Sequence, residues 1–150
     1  MKSGYWLLAA VLVVLLLSLR GVDREEPGVF TPPDSAALNY WAKTSSFPAV
    51  ASAEEDINGD GRLDTVLIYR IAADKCQICV ILEGEDGFMI SASSRAPVEN
   101  QSIKFKDIDN KLPIEIIVSG SKKGRYGYGI LRLEGNQLID LFGEGMDECC

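Results

Sequence analysis

Gly4 to Leu19 is an unbroken run without a charged side chain, preceded by Lys2 and followed by Arg20. A basic start and an apolar core are the marks of a secretory segment. The run is short for a spanning helix, which needs about 20 apolar residues with a lower limit near 17. No small-x-small pair closes it, Arg20 stands where a small residue would be cut, and no cysteine follows it. An uncleaved signal anchor over residues 1–20 is therefore expected, with Tyr5 and Trp6 at one interface and Arg20 at the other. The folded part would lie outside the cytoplasm. Residues 21–33 read as a polar, proline-containing linker. Asp34 or Ser35 then caps a short helix over Ala36 to Thr44, with Leu38 and Trp41 on its apolar face.

From Asp56 onward the periodicity is that of strands. The expected strands are Thr65–Ile71, Cys79–Glu83, Phe88–Ser91, Ile103–Phe105, Ile114–Val118, Tyr126–Leu133 and Gln137–Phe142. Gly84-Glu85-Asp86-Gly87 and Glu134-Gly135-Asn136 are turns, and Ser93 to Gln101 is a polar break. Gly127 and Gly129 within one strand predict a bend or a close backbone approach. An internal repeat is also visible. Asp56-Ile-Asn-Gly-Asp-Gly-Arg-Leu-Asp64 leads into a hydrophobic strand, and Asp107-Ile-Asp-Asn-Lys-Leu-Pro-Ile-Glu115 does so again 51 residues later without a gap. Such a period belongs to repeated β units, and two are too few to close a propeller. The expected fold is mainly β: a small antiparallel sheet or sandwich of two loop–strand repeats over 34–142, one short N-terminal helix, a separate anchor helix, and a flexible tail over 143–150.

Composition narrows the function. At 150 residues the chain holds one folded domain and little more. A formal charge of −7 argues against nucleic acid, which needs a basic stripe, and favours cations as partners.

The first acidic loop places Asp56, Asn58, Asp60 and Asp64 at positions 1, 3, 5 and 9 of a calcium loop, with Gly61 at the sharp turn and Arg62 offering its carbonyl. Position 12 is Leu67 and a strand follows, so a complete EF-hand is excluded. Two readings stand: calcium ligation, or carboxylates that cap the turn by accepting from backbone amides. In the second copy Lys111 takes position 5 and would place a cation in the ion's seat, so Asp107, Asp109 and Glu115 are expected to form a metal-free turn.

Four thiols remain. Cys149-Cys150 end the sequence, and their Cα atoms, about 3.8 Å apart across a trans peptide, are closer than the roughly 4.4–6.8 Å of an unstrained disulfide. The pair favours staying a dithiol, and thiolates select soft metal ions. Redox exchange, lipidation and intermolecular disulfides are the other readings. Asp147, Glu148 and the α-carboxylate beside the thiols disfavour a low thiol pKa, which suits capture of a cation better than catalysis. Cys76 and Cys79 lie on opposite faces of a straight strand, or converge if Asp74 to Gln77 is a turn; together they are candidate secondary acceptors. The chain has no histidine, which rules out mixed Cys/His zinc sites and His-assisted thiol catalysis.

The loop Asp56-Ile-Asn-Gly-Asp-Gly resembles the calcium loops of FG-GAP and VCBS-type repeats, which implies Asp56, Asn58, Asp60 and Asp64 as ligands. The signal anchor, this loop, Cys76-x-x-Cys79 and the Cys149-Cys150 end together resemble the Cys-Cys-COOH (seleno)protein family called SaoC. That family belongs with bacterial selenocysteine-assisted organometal detoxification systems and an ABC-type transporter; this chain has cysteine only. The tail is also similar to the terminal cysteine pair of mercuric reductases. The resemblance implies a membrane-anchored, non-enzymatic protein that binds mercury-type species outside the membrane through Cys149 and Cys150. The residues alone also leave open an extracytoplasmic thiol-disulfide protein and a calcium-stabilised interaction module.

Overall fold

The computed structural model describes residues 34–150, so the expected anchor (1–20) and linker (21–33) lie outside the described residues. No helix among the described residues is long and apolar enough to cross a membrane. Helix α1 spans Ala36–Thr44, as its sequence predicts. Ser35 is the cap: its hydroxyl accepts from the Leu38 amide at 3.2 Å, while Asp34 accepts from the Asn39 side chain at 3.1 Å. Leu38 and Trp41 are buried, and the Trp41 indole donates to the Phe47 carbonyl at 2.9 Å.

Nine strands among the described residues form two antiparallel sheets. The first contains β1 (Ala49–Glu55), β2 (Asp64–Ala72), β3 (Lys75–Gly84) and β4 (Gly87–Ile90) in that order, with β5 (Ser94–Ala96) also paired to β3. The second contains β6 (Glu99–Lys106), β7 (Glu115–Lys122), β8 (Arg125–Glu134) and β9 (Gln137–Glu144) in that order. A one-turn helix, α2 (Met146–Cys149), follows. The mainly β architecture thus agrees with expectation, with differences at weakly patterned segments. Strand β1 (Ala-Val-Ala-Ser-Ala-Glu-Glu) has too few large apolar residues to announce itself; pairing with β2 recruits it. The polar break holds β5 and the start of β6, and β3 begins at Lys75 instead of Cys79.

Alternation along β2 and β3 explains the layering. Val66, Ile68, Ile78 and Val80 face the second sheet and pack with Ile116, Val118, Leu131 and Leu133. Leu67, Tyr69, Cys79 and Ile81 face the other way, against Leu38 and Trp41 of α1. Strands buried on both faces read as continuous apolar runs, which is why β2 and the second half of β3 stand out in the sequence.

The repeat seen in the sequence is also present in space. Asp64 opens β2 and Glu115 opens β7, and both are buried. Each accepts from the second residue of its loop: the Ile57 amide reaches Asp64 at 3.3 Å and the Ile108 amide reaches Glu115 at 2.8 Å. Counted from these anchors, the cross-strand pair Val66–Val80 corresponds to Ile117–Ile130. An irregularity between Arg70 and Ala72 absorbs the one-residue difference in offset. Val66 and Val80 lie in the inter-sheet core, whereas Ile117 and Ile130 are only half-buried on the opposite face of the second sheet from Ile116 and Leu131. The two units are therefore stacked front to back, each turning the same face in the same direction.

Candidate functional site

The segment expected to be a loose tail is folded. Strand β9 runs to Glu144, Gly145 turns the chain at φ +66°, and Met146–Cys149 makes one helical turn. Glycine suits that left-handed position because it has no Cβ to clash. The turn docks because β8 offers no side chains beneath it. A Cβ on Gly127 would lie 2.6 Å from the Gly145 carbonyl oxygen and 2.8 Å from Cys149 Sγ. The close backbone approach predicted from Gly127 and Gly129 is this contact. The Val98 amide donates to the Cys149 carbonyl at 3.3 Å, and Met146 packs on the inter-sheet core. Burial of a thiol and an apolar thioether outweighs the glycines and acids from which flexibility was expected.

In a helical turn, residues three and four apart share a face. Met146, Cys149 and Cys150 therefore converge. Cys149 Sγ lies 3.0 Å from Cys150 Sγ, and Met146 Sδ lies 3.8 Å from each of them. Cys149 is fully buried and Cys150 half-buried, and both thiols are free. The thioether escaped the sequence reading, although Met-x-x-Cys-Cys was its signal: the spacing matters only once the segment is helical.

The acids do not crowd the thiols. Asp147 turns outward to Arg95 of β5 at 3.3 Å, and Glu148 to Arg125 of β8 at 3.7 Å. Both pairs are largely exposed, so each is worth under about 1 kcal/mol. They pin the turn to both sheets. Burial is the main cause that pushes the Cys150 thiol upward, with the adjacent Cys149 sulfur adding to it; Arg95 and Lys122 act in the opposite direction. Desolvation and Cys149, not the neighbouring acids, supply the upward push.

Cys76 and Cys79 do not converge. The segment is strand, not turn, so alternation separates them. Cys79 faces α1 in an apolar layer that raises its thiol to about 12. Cys76 faces the other sheet. Burial raises its thiol too, partly offset by Arg70 and Gln101. Cys76 and Cys150 line one cavity of about 260 Å³, together with Ile71, Lys75, Gln77 and Arg95. The structure thus brings Cys149, Cys150 and Cys76 to one end of the sandwich and leaves Cys79 behind the sheet.

In the first acidic loop the side-chain oxygens meet backbone amides. Asp56 accepts from Gly59 at 2.8 Å, Asp60 at 3.1 Å and Gly61 at 2.9 Å. Asn58 accepts from the Asp60 amide at 2.9 Å, and Asp60 from that of Arg62 at 2.9 Å. The Arg62 guanidinium approaches Asp60 at 3.7 Å. Asp64 is buried, accepts from the Ile57 and Glu83 amides, and desolvation raises its carboxyl pKa. The loop is closed by these bonds, with the same acceptors a calcium ion would need.

The second loop brings Asp107, Asp109 and Glu115 oxygens within 4.8 Å of one another. A cation does sit against them, and it is not Lys111. The Arg132 guanidinium of β8 pairs with Asp109 at 2.8 Å and with buried Glu115. Lys111 contributes its backbone amide, to Asp107 and Asp109. The hydrogen bond from Arg132 is the main cause holding the Asp109 carboxyl below its ordinary range.

Comparison with protein-family models, curated proteins and solved structures finds no match to the chain.

Proposed function

We propose that the Cys149–Cys150 pair captures soft metal or organometal species and passes them on by thiol exchange. The observation that carries this reading is a pair of free thiols 3.0 Å apart, set against the cavity that Cys76 also lines. Soft cations select thiolates over every other ligand in a chain without histidine. A protonated thiol is no obstacle, because the metal displaces the proton as it binds. An organomercury cation arriving on a small thiol exchanges one mercury–sulfur bond for another. The displaced thiolate leaves with the proton given up by the protein thiol, and no electrons move. Cys76 is the neighbouring acceptor; Cys79, behind the sheet, takes no part.

The resemblance to the SaoC family supports the rest of this reading. The chain would be held by residues 1–20 outside the cytoplasm of a bacterium and would hand its cargo to an ABC-type transporter. The FG-GAP-like character of the two loop–strand units is a structural proposal of the same kind. A calcium ion held by Asp56, Asn58, Asp60, Asp64 and the Arg62 carbonyl would stabilise the first unit.

Two experiments test this. In the full chain, reduced and kept anaerobic, the double variant C149S/C150S is expected to lose at least about a hundredfold in methylmercury affinity, the loss of both ligands exceeding what one outer partner contributes. Unchanged affinity together with a lost two-electron couple would replace the proposal with a thiol-disulfide protein, which the short sulfur–sulfur approach also suits. For the loop, 1 mM calcium is expected to raise the thermal midpoint, and D56N to abolish that rise. No calcium-dependent rise in the parent protein would leave the loop as a hydrogen-bonded turn.

A further inference from the structure

We infer that Met146 is the third ligand of the tail site, and that the site therefore takes a bare monovalent soft ion, such as Cu(I) or Ag(I), in three-sulfur coordination. The inference rests on the thiol-capture reading and adds to it a ligand and a cargo class. A metal bonded to three sulfurs at about 2.3 Å in one plane holds them about 4.0 Å apart. Met146 Sδ is 3.8 Å from both Cys149 Sγ and Cys150 Sγ, so two edges of that triangle are already in place. The third edge, 3.0 Å between the thiols, must open by about 1 Å, and half-buried Cys150 borders the cavity into which it can move.

The surroundings favour this arrangement over chance packing. The close approach at Gly127 seats the Cys149 thiol, and Met146 lies within ordinary van der Waals range of Gly129 on the same strand, so both sulfur side chains rest on β8. Thioether and thiolate together are a ligand set for Cu(I), whereas carboxylates and water suit hard ions. The Asp147 and Glu148 side chains are turned away to Arg95 and Arg125, so neither converges on the metal position with the three sulfurs. An organomercury cation is linear, with its carbon on one side of the metal and a single thiolate on the other, so a further sulfur to one side adds little to it. Met146 thus separates two cargo classes. On binding Cu(I), the two thiols release their protons to solvent and the thioether binds through its neutral lone pair, so no oxidant or reductant is consumed.

The test compares M146L with the parent chain, both reduced and anaerobic. Leucine conserves volume, and volume-conserving apolar swaps are the best tolerated in packed sites, so the fold is retained. Competition with a chromophoric Cu(I) chelator is expected to show at least about a tenfold loss of Cu(I) affinity. Methylmercury affinity should stay within twofold. As a second measurement, with Met146 itself intact, selenium absorption spectroscopy of selenomethionine-labelled M89L protein loaded with Cu(I) should show a direct selenium–copper neighbour that is missing from labelled M89L/M146L protein, in which Met1 alone carries selenium. Unchanged Cu(I) affinity in M146L, or no metal neighbour at selenium, overturns the third-ligand assignment and leaves thiol capture standing if C149S/C150S still abolishes methylmercury uptake. An equal loss for both ions also overturns it, since Met146 would then act only by holding the turn. A parent chain that takes up neither ion removes the capture reading, and this assignment with it.

Discussion

Arg132→Met is expected to lower the free energy of unfolding by about 3–5 kcal/mol, the usual effect of stripping a buried charge of its partner. Glu115 is 1% exposed at its side chain and Arg132 17%, so solvent cannot replace the lost guanidinium. What remains for Glu115 is the Ile108 amide at 2.8 Å. Asp109 would lose its partner too, and its carboxyl pKa would return toward its ordinary value of 3.8. The sign follows from the depression: the stabilisation Asp109 draws from Arg132 is present above that value and disappears as pH falls through the folded-state pKa. Urea unfolding at neutral pH measures the main effect. The pair R132M/E115Q should recover part of the loss, because no uncompensated charge stays buried. A drop under about 1 kcal/mol in the single variant would mean that water screens the site as it does a surface ion pair.

Gly127→Ala should undock the terminal turn and expose the Cys149 thiol. The new methyl group would lie 2.6 Å from the Gly145 carbonyl oxygen and 2.8 Å from Cys149 Sγ, inside contact distance of both. Something must move, and β8, paired on both sides, is the stiffer party. The turn is anchored by the Val98–Cys149 backbone bond and two exposed ion pairs. Overpacking commonly costs about 1–3 kcal/mol, which shifts the docked–undocked balance by roughly five- to 150-fold. The readout is the rate at which a disulfide reagent labels Cys149, located by mass spectrometry, with Cys79, buried behind the first sheet, as the internal control. Acceleration at Cys149 and Cys150 with Cys79 unchanged is the expected result; Cys76, which shares the cavity with Cys150, is free to follow them. Equal acceleration at Cys79 would show that the substitution unfolds the domain instead.

These two positions show how differently the parts of this protein were legible. Local signals were sufficient for α1, where Ser35, Leu38 and Trp41 stand at helical spacing, for β2, and for the Cys79–Leu82 half of β3, where burial on both faces gives an unbroken apolar run; the first half of β3, with Lys75 and Gln77, carried no such run. The 51-residue repeat survives in space because each loop must satisfy its own amides with its own acids, and bonds of that kind span few residues. Strand β1 was invisible because its small residues gain strand structure only from a neighbour already in place. The cation of the second loop was assigned to Lys111, within the motif; it is Arg132, which a hairpin returns from the next strand.

What the residues determined alone was chemical type: two thiols side by side, no histidine to compete, acids on loops, and apolar periods sufficient for a β domain. What only the tertiary structure decided was adjacency. A bare stretch of β8 turns an apparent loose end into a helical turn, adds the Met146 thioether to the two thiols, opens the same cavity to Cys76 and excludes Cys79. The reason is that strand alternation and helical spacing act over a few residues, whereas the room that a missing side chain leaves takes effect only when distant parts of the chain have come together.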